Sequence, residues 1–255
     1  MDGSVDVVPG VDAMPGVDVV RGLTYGPSGQ RLDVHRPPGR PGGTVLLWHG
    51  RGRDEREVLA PLARQVAALG LLVLVPDWRS NEPDAGWAQL RESVAFLRAR
   101  AGDWGGDAER TVLAGWSLGA RAAMATVLRP AVPTEGWRPV AVVGIAGNYL
   151  TSSDRRMGPA AIDDVVTTAE APVPLWLHHG VADAVVDVAS PRGFAPVAEA
   201  HGWFTHCTES ASDHSGVVLT EYDRELGRCR PARAEHAVHA GQTTAQLIAK
   251  AAADC

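Results

Sequence analysis

The chain has 255 residues, 45% of them hydrophobic and 21% charged, which is the balance of a packed globule and excludes disorder along the whole chain. Length favours one core rather than two. Lys and Arg total 24 against 30 Asp and Glu, a formal charge of −6, so the chain lacks the basic footprint that nucleic-acid binding requires.

No uninterrupted apolar stretch is long enough to span a membrane. The opening MDGSVDVVPGVDAMPG has no basic region, and Asp and Pro break its apolar residues, so it does not read as a secretory signal. A soluble, cytoplasmic protein without membrane partners is expected. Residues 1–20, rich in Val, Asp, Gly and Pro, read as a flexible N-terminal arm or an edge extension, ahead of a single domain over 21–255.

In chain order, RLDVHRP (31–37) alternates apolar and polar residues as an antiparallel edge strand does, and PPGRPGG turns the chain. TVLLWHG (44–50) and LLVLVPDW (71–78) are near-continuous apolar runs, the pattern of strands buried on both faces. Between them REVLAPLARQVAALG (56–70) has a helical period stopped by Gly70. AQLRESVAFLRARAG (88–102) is helical, TVLAGWS (111–117) is a strand, and LGARAAMATVLRP (118–130) is a helix ending before Pro130. Strands follow at 140–147, 173–180 and 203–209, with helices at 191–202 and 243–253. Such alternation predicts a doubly wound, mostly parallel sheet with helices on both faces. Two segments, 148–172 and 216–242, interrupt it and are expected to form lid or pocket-wall pieces at the carboxyl ends of the strands.

The chemistry concentrates at those ends. Gly115-Trp116-Ser117-Leu118-Gly119 lies between an apolar strand and a helix. A strand-to-helix turn that tight leaves room only for glycine at its flanks and exposes the serine hydroxyl, which makes Ser117 the candidate nucleophile. His49-Gly50-Arg51-Gly52 follows an earlier strand. Acyl transfer builds charge on a carbonyl oxygen, and the backbone N–H groups of Arg51 and Leu118 are the expected oxyanion donors. His49 reads as a loop brace rather than a base.

Asp183, in His178-His179-Gly180-Val181-Ala182-Asp183, is the expected orienting carboxylate, chosen over Asp187 because it stands nearer the strand end. His214, in Ser212-Asp213-His214-Ser215-Gly216, is the expected base. Ser117, Asp183 and His214 thus follow one of the known chain orders of the triad. His236 and His239 are the alternative bases, and their spacing also suits two metal ligands on a helix face; a third ligand is not evident, and no metal is expected. Trp48 and Trp116 flank the oxyanion loop and the nucleophile and are candidate substrate-lining residues. Cys207 and Cys229 bracket the base, and a bridge between them would hold its loop; otherwise free thiols in a reducing compartment are expected. No nucleotide-binding motif is present in the sequence.

With LDVHRP, VLLWHGRG, LLVLVPDWR, RTVLAGWSLGARAA, HHGVADAVV and DHSG in order, the chain from about residue 31 onward resembles the α/β-hydrolase superfamily. Within it the resemblance is to small carboxylesterases of the feruloyl and acetyl esterase type and to dienelactone hydrolases. These relatives usually have a third glycine and then Trp after the His-Gly of the oxyanion loop, where this chain has Arg51-Gly52-Arg53. The resemblance implies a cofactor-free serine esterase for small or medium soluble esters. Thioesterase or lactone hydrolase chemistry with the same triad is the alternative within enzymes, and a low-turnover binding module is the alternative outside them.

Overall fold

The structure, a computed structural model, describes residues 16–129, 136–152 and 154–254. An eight-stranded sheet forms its centre, built from β1 (Asp18–Tyr25), β2 (Gln30–Arg36), β3 (Thr44–Trp48), β4 (Leu72–Pro76), β5 (Thr111–Trp116), β6 (Ala141–Ile145), β7 (Leu175–Gly180) and β8 (Thr205–Ser210). Their order across the sheet is β1-β2-β4-β3-β5-β6-β7-β8. The first two strands run antiparallel to their neighbours, and β3 through β8 are mutually parallel. Among the described residues six α-helices accompany them: α1 (Ala60–Ala68), α2 (Trp87–Arg100), α3 (Leu118–Leu128), α4 (Ala161–Thr167), α5 (Ala189–Ala200) and α6 (Glu235–Ala253).

Strand pleating divides the side chains between two cores. Leu46 and Trp48 of β3 and Leu113 of β5 join the core shared with α2, α3, α4 and α5. Val45 and Leu47 of β3 and Val112, Ala114 and Trp116 of β5 join the core shared with α1 and α6. Every residue of β3, β4, β5, β6 and β7 is buried, as expected for strands covered on both faces. From β3 the chain first moves outward to β4, then returns past β3 to β5. The carboxyl ends of β3 and β5 are therefore neighbours at the point where strand order reverses, which is where open α/β sheets leave a crevice.

The arm lies outside the described residues over 1–15, but residues 18–20 open β1, paired to β2 around a bulge between Val20 and Leu23. The C-terminal helix begins at Glu235 rather than 243, so residues 235–242 of the second interrupting segment are helical. The rest of that segment holds a short turn at Gly216–Val218 and an antiparallel hairpin of β9 (Thr220–Asp223) and β10 (Arg228–Pro231). Cys207 and Cys229 are free thiols, as expected, and the alternative of a bridge holding the His214 loop falls: one lies on the exposed edge strand β8, the other on the hairpin.

The first interrupting segment is tied to α3 by two arginines. Arg121 gives its guanidinium to Ser152 Oγ at 2.8 Å and to the carbonyls of Gly158 and Pro159 at 2.5 and 3.0 Å. Arg129 binds the Met157 and Pro159 carbonyls and the Asp164 carboxylate at 2.5–2.6 Å.

Candidate active site

Ser117 joins β5 to α3 with φ 55° and ψ −115°, a conformation that a residue with a side chain rarely adopts. Neighbouring glycines make it possible. A Cβ on Gly115 would lie 2.3 Å from the Gly119 carbonyl, and one on Gly119 would lie 2.4 Å from the Trp48 carbonyl oxygen. The elbow is also pinned from β6, since the Ser117 N–H donates to the Ile145 carbonyl at 2.8 Å.

The loop after β3 passes directly over this turn. A Cβ on Gly50 would lie 3.1 Å from the Ser117 Cβ and from the Trp116 ring. His49, fully buried, braces that loop. Its Nε2 accepts from the Trp78 and Glu55 N–H groups at 3.1 and 3.3 Å, leaving Nδ1 to donate to the Gly50 carbonyl at 2.9 Å. Burial pulls the imidazole down to about 4, which keeps it neutral and unsuited to act as a base near neutrality. Trp78 stacks on it at 5.5 Å and returns a hydrogen bond to the His49 carbonyl. A two-pronged ion pair between Arg79 and Asp54 closes the outer end of the loop.

Asp183 and His214 meet beyond β7 and β8. His214 Nδ1 lies 2.7 Å from Asp183 Oδ2, and the carboxylate side chain is 0% exposed against 12% for the imidazole. Backbone N–H groups of Val185 and Val186 donate to Asp183 Oδ1 at 2.8 and 2.9 Å. Burial alone would raise the Asp183 carboxyl; hydrogen bonds from His179, His214 and Val186 outweigh it and hold the group well below the usual carboxylate range. The two loops are stitched together as well, with Val181 and Ala182 N–H groups donating to the Ser210 and Ser212 carbonyls at 2.9 and 3.0 Å.

Trp116 connects this pair to the elbow. Its indole N–H donates to the His214 carbonyl at 2.9 Å, and the two rings pack with centroids 5.1 Å apart. Trp116 thus holds the His214 loop, a role that its sequence position beside Ser117 did not reveal. Trp48 departs further from expectation. The pleat turns it into the core, where it is 1% exposed and donates to Ser93 Oγ of α2, so it lines no substrate space in this structure. His236 and His239 lie exposed on α6, while Asp183 takes His214 and His179 as its histidine partners. His179 was not singled out from the sequence; the one available signal was its position four residues before Asp183. Arg51 is exposed on the loop after β3, and Leu118 is the first residue of α3.

The chain matches no protein-family model and no curated protein. Its fold is nevertheless that of known solved structures. Esterase 2 of Thermogutta terrifontis, phosphoramylated by tabun, superposes with a TM-score of 0.68 at 18% identity over 95% of this chain and 96% of that one. The butyrate-bound form of the same esterase gives 0.69 at 17% identity over 94% of each chain. A candidate dienelactone hydrolase from Klebsiella pneumoniae gives 0.68 at 16% identity, covering 92% of this chain and all of that one. The chain has the α/β-hydrolase fold.

Proposed function

We propose that this protein is a serine hydrolase that cleaves carboxylic esters of small or medium soluble substrates through an acyl-enzyme. The observation that carries the reading is the 2.7 Å hydrogen bond between His214 Nδ1 and Asp183, on a loop that Trp116 fastens beside Ser117. His214 Nε2 takes the Ser117 proton as the hydroxyl attacks the ester carbonyl. Asp183 stabilises the imidazolium that forms. Backbone N–H groups of Arg51 and Leu118 receive the oxyanion, the alcohol leaves with the proton from His214, and water then releases the acid by the same steps.

The fold neighbours support this choice of chemistry: one is an esterase phosphoramylated by tabun and seen with butyrate. The Klebsiella neighbour supports lactone opening as the second reading, which differs only in the leaving group. We also assign the protein to the cytoplasm, in keeping with its unpaired Cys207 and Cys229. Among the described residues no helix is long and apolar enough to cross a membrane.

A fluorophosphonate probe followed by peptide mapping tests the nucleophile, and a panel of p-nitrophenyl esters, lactones and acyl-CoA thioesters tests the substrate class. The expected result is a label on Ser117 and turnover highest on short or medium esters. A label on another residue removes Ser117 as the nucleophile, and no label overturns the reading in favour of a binding module.

A further inference from the structure

His178 and His179 are adjacent on β7 and serve different sides of the sheet. His178 is fully engaged, with Nδ1 2.6 Å from the Thr244 hydroxyl and Nε2 2.8 Å from the Ser210 hydroxyl. Thr244 passes its own proton to the Val217 carbonyl, so this network ties α6 to the turn that follows His214.

His179 has another role. Its Nε2 lies 2.8 Å from the Val186 carbonyl and 3.3 Å from Asp183 Oδ2. A carbonyl only accepts, so Nε2 carries the proton and donates to Val186, while Asp183 Oδ2 stands 3.3 Å from the same nitrogen. The imidazole is buried, and its Nδ1 meets no hydrogen-bond partner among the described residues. A buried nitrogen left unbonded is costly, and an apolar side chain would avoid that cost. The gain from an imidazole here must therefore come from its other nitrogen. That nitrogen completes the set of donors on Asp183: two backbone N–H groups on Oδ1, and His214 with His179 on Oδ2.

Resting on the serine-hydrolase reading above, we propose that His179 is a positioning residue of the triad, fixing Oδ2 of Asp183 and so aiming the carboxylate at His214. It also draws charge from Oδ2, so the charge that Asp183 presents to its other partner is set in part by His179. The other ionisable groups around His179 are His178 beside it and Glu209, its register partner on β8. Glu209 is paired with Arg192 of α5 at 2.6 Å, and Asp187 lies near that arginine.

The test compares His179→Phe, which keeps a flat ring without the N–H, with His179→Gln, whose amide can donate to the same oxygens. In His179→Phe the acid limb of kcat/KM is expected to move up by about half a pH unit or more, because that limb reports protonation of the base in the free enzyme. Its kcat should fall on the order of tenfold with KM little changed, and Gln should restore both. A merely structural role would lower the yield of folded enzyme and leave the limb where it was. An unmoved limb in Phe, or no recovery in Gln, overturns the proposal. If the Phe protein does not fold, Gln against the shorter Asn decides on the same limb. A second readout is independent of turnover: the NMR resonance of the His214 Nδ1 proton should shift in the Phe or Asn protein, and an unchanged resonance rejects the role. A wild-type protein that fails to hydrolyse ester would reject the ester reading and leave this readout to decide on His179.

Discussion

Gly119 lies so close to Trp48 that a Cβ on it would stand 2.4 Å from the Trp48 carbonyl oxygen. The last residue of β3 and the first turn of α3 are thus in backbone contact, which places the loop after β3 and the Ser117 elbow on one rigid unit. Gly119→Ala would force these backbones apart. A loss of about 3 kcal/mol or more is expected, together with most of the ester turnover proposed above. Urea unfolding of the purified variant measures the first; an unchanged midpoint would show that the contact yields.

Ser117→Ala should fold as the wild type does, because the hydroxyl makes no contribution to either core. Ester turnover is expected to fall by roughly 10³-fold or more if the three residues act as a unit. Steady-state kinetics beside a thermal melt separates the two effects, and retained turnover in a well-folded variant would remove Ser117 from the mechanism.

Trp116→Phe keeps the ring that packs on His214 and removes the N–H bound to the His214 carbonyl at 2.9 Å. The expected cost in stability is about 1 kcal/mol, the net worth of one hydrogen bond. The kcat should fall more than that loss of stability would suggest, on the order of tenfold, because misplacing a catalytic group is amplified in rate. Equal kcat in the two proteins would show that packing alone holds the loop.

His35, His49 and His178 are each drawn down to about 4, first of all by burial. Their unfolded values lie near 6.5, so between about pH 6.5 and 4 the unfolded chain binds protons that the folded chain refuses. Stability contributed by their neutral forms is complete above that window and declines as pH falls through it. Thermal melts from pH 7.5 to 4.5 should therefore show a steep fall in Tm. His35 is the most replaceable of the three, since neither ring nitrogen finds a partner among the described residues. His35→Leu is expected to gain about 1 kcal/mol, or roughly 2–4 °C in Tm, and to flatten the acid slope. A lower Tm at neutral pH would contradict this.

The central strands were readable because burial on both faces leaves a simple trace, unbroken Val and Leu runs such as VLLW and LVLVP. Where burial is uneven, the trace fades. β1 carries a bulge that breaks its alternation, and the Arg-rich β9–β10 hairpin is largely exposed, so neither stood out as a strand. The first half of α6 left only a weak trace, the helix face of His236 and His239, because its buried residues Ala237, Ala240 and Gly241 are too small to register as an apolar stripe. Within the site, the candidate triad could be named from motif and chain order. The positions of the tryptophans could not, because Trp48 and Trp116 both close apolar strands and only the pleat sends them to opposite cores. His179 was hidden for the same reason: beside an identical residue, nothing but strand geometry distinguishes it.

The backbone of Ser117, at φ 55° and ψ −115°, occupies territory that glycine enters freely and serine does not. Holding a non-glycine residue there costs on the order of 1–3 kcal/mol. Glycine at this position would relieve that strain and abolish the nucleophile in the same step. On the serine-hydrolase reading proposed above, thermostability and catalysis are opposed at residue 117, and selection for heat resistance alone would favour a chain without the nucleophile. A campaign to harden this protein must screen for turnover at every round and look for its gains elsewhere, at sites such as His35 where stability and chemistry do not compete.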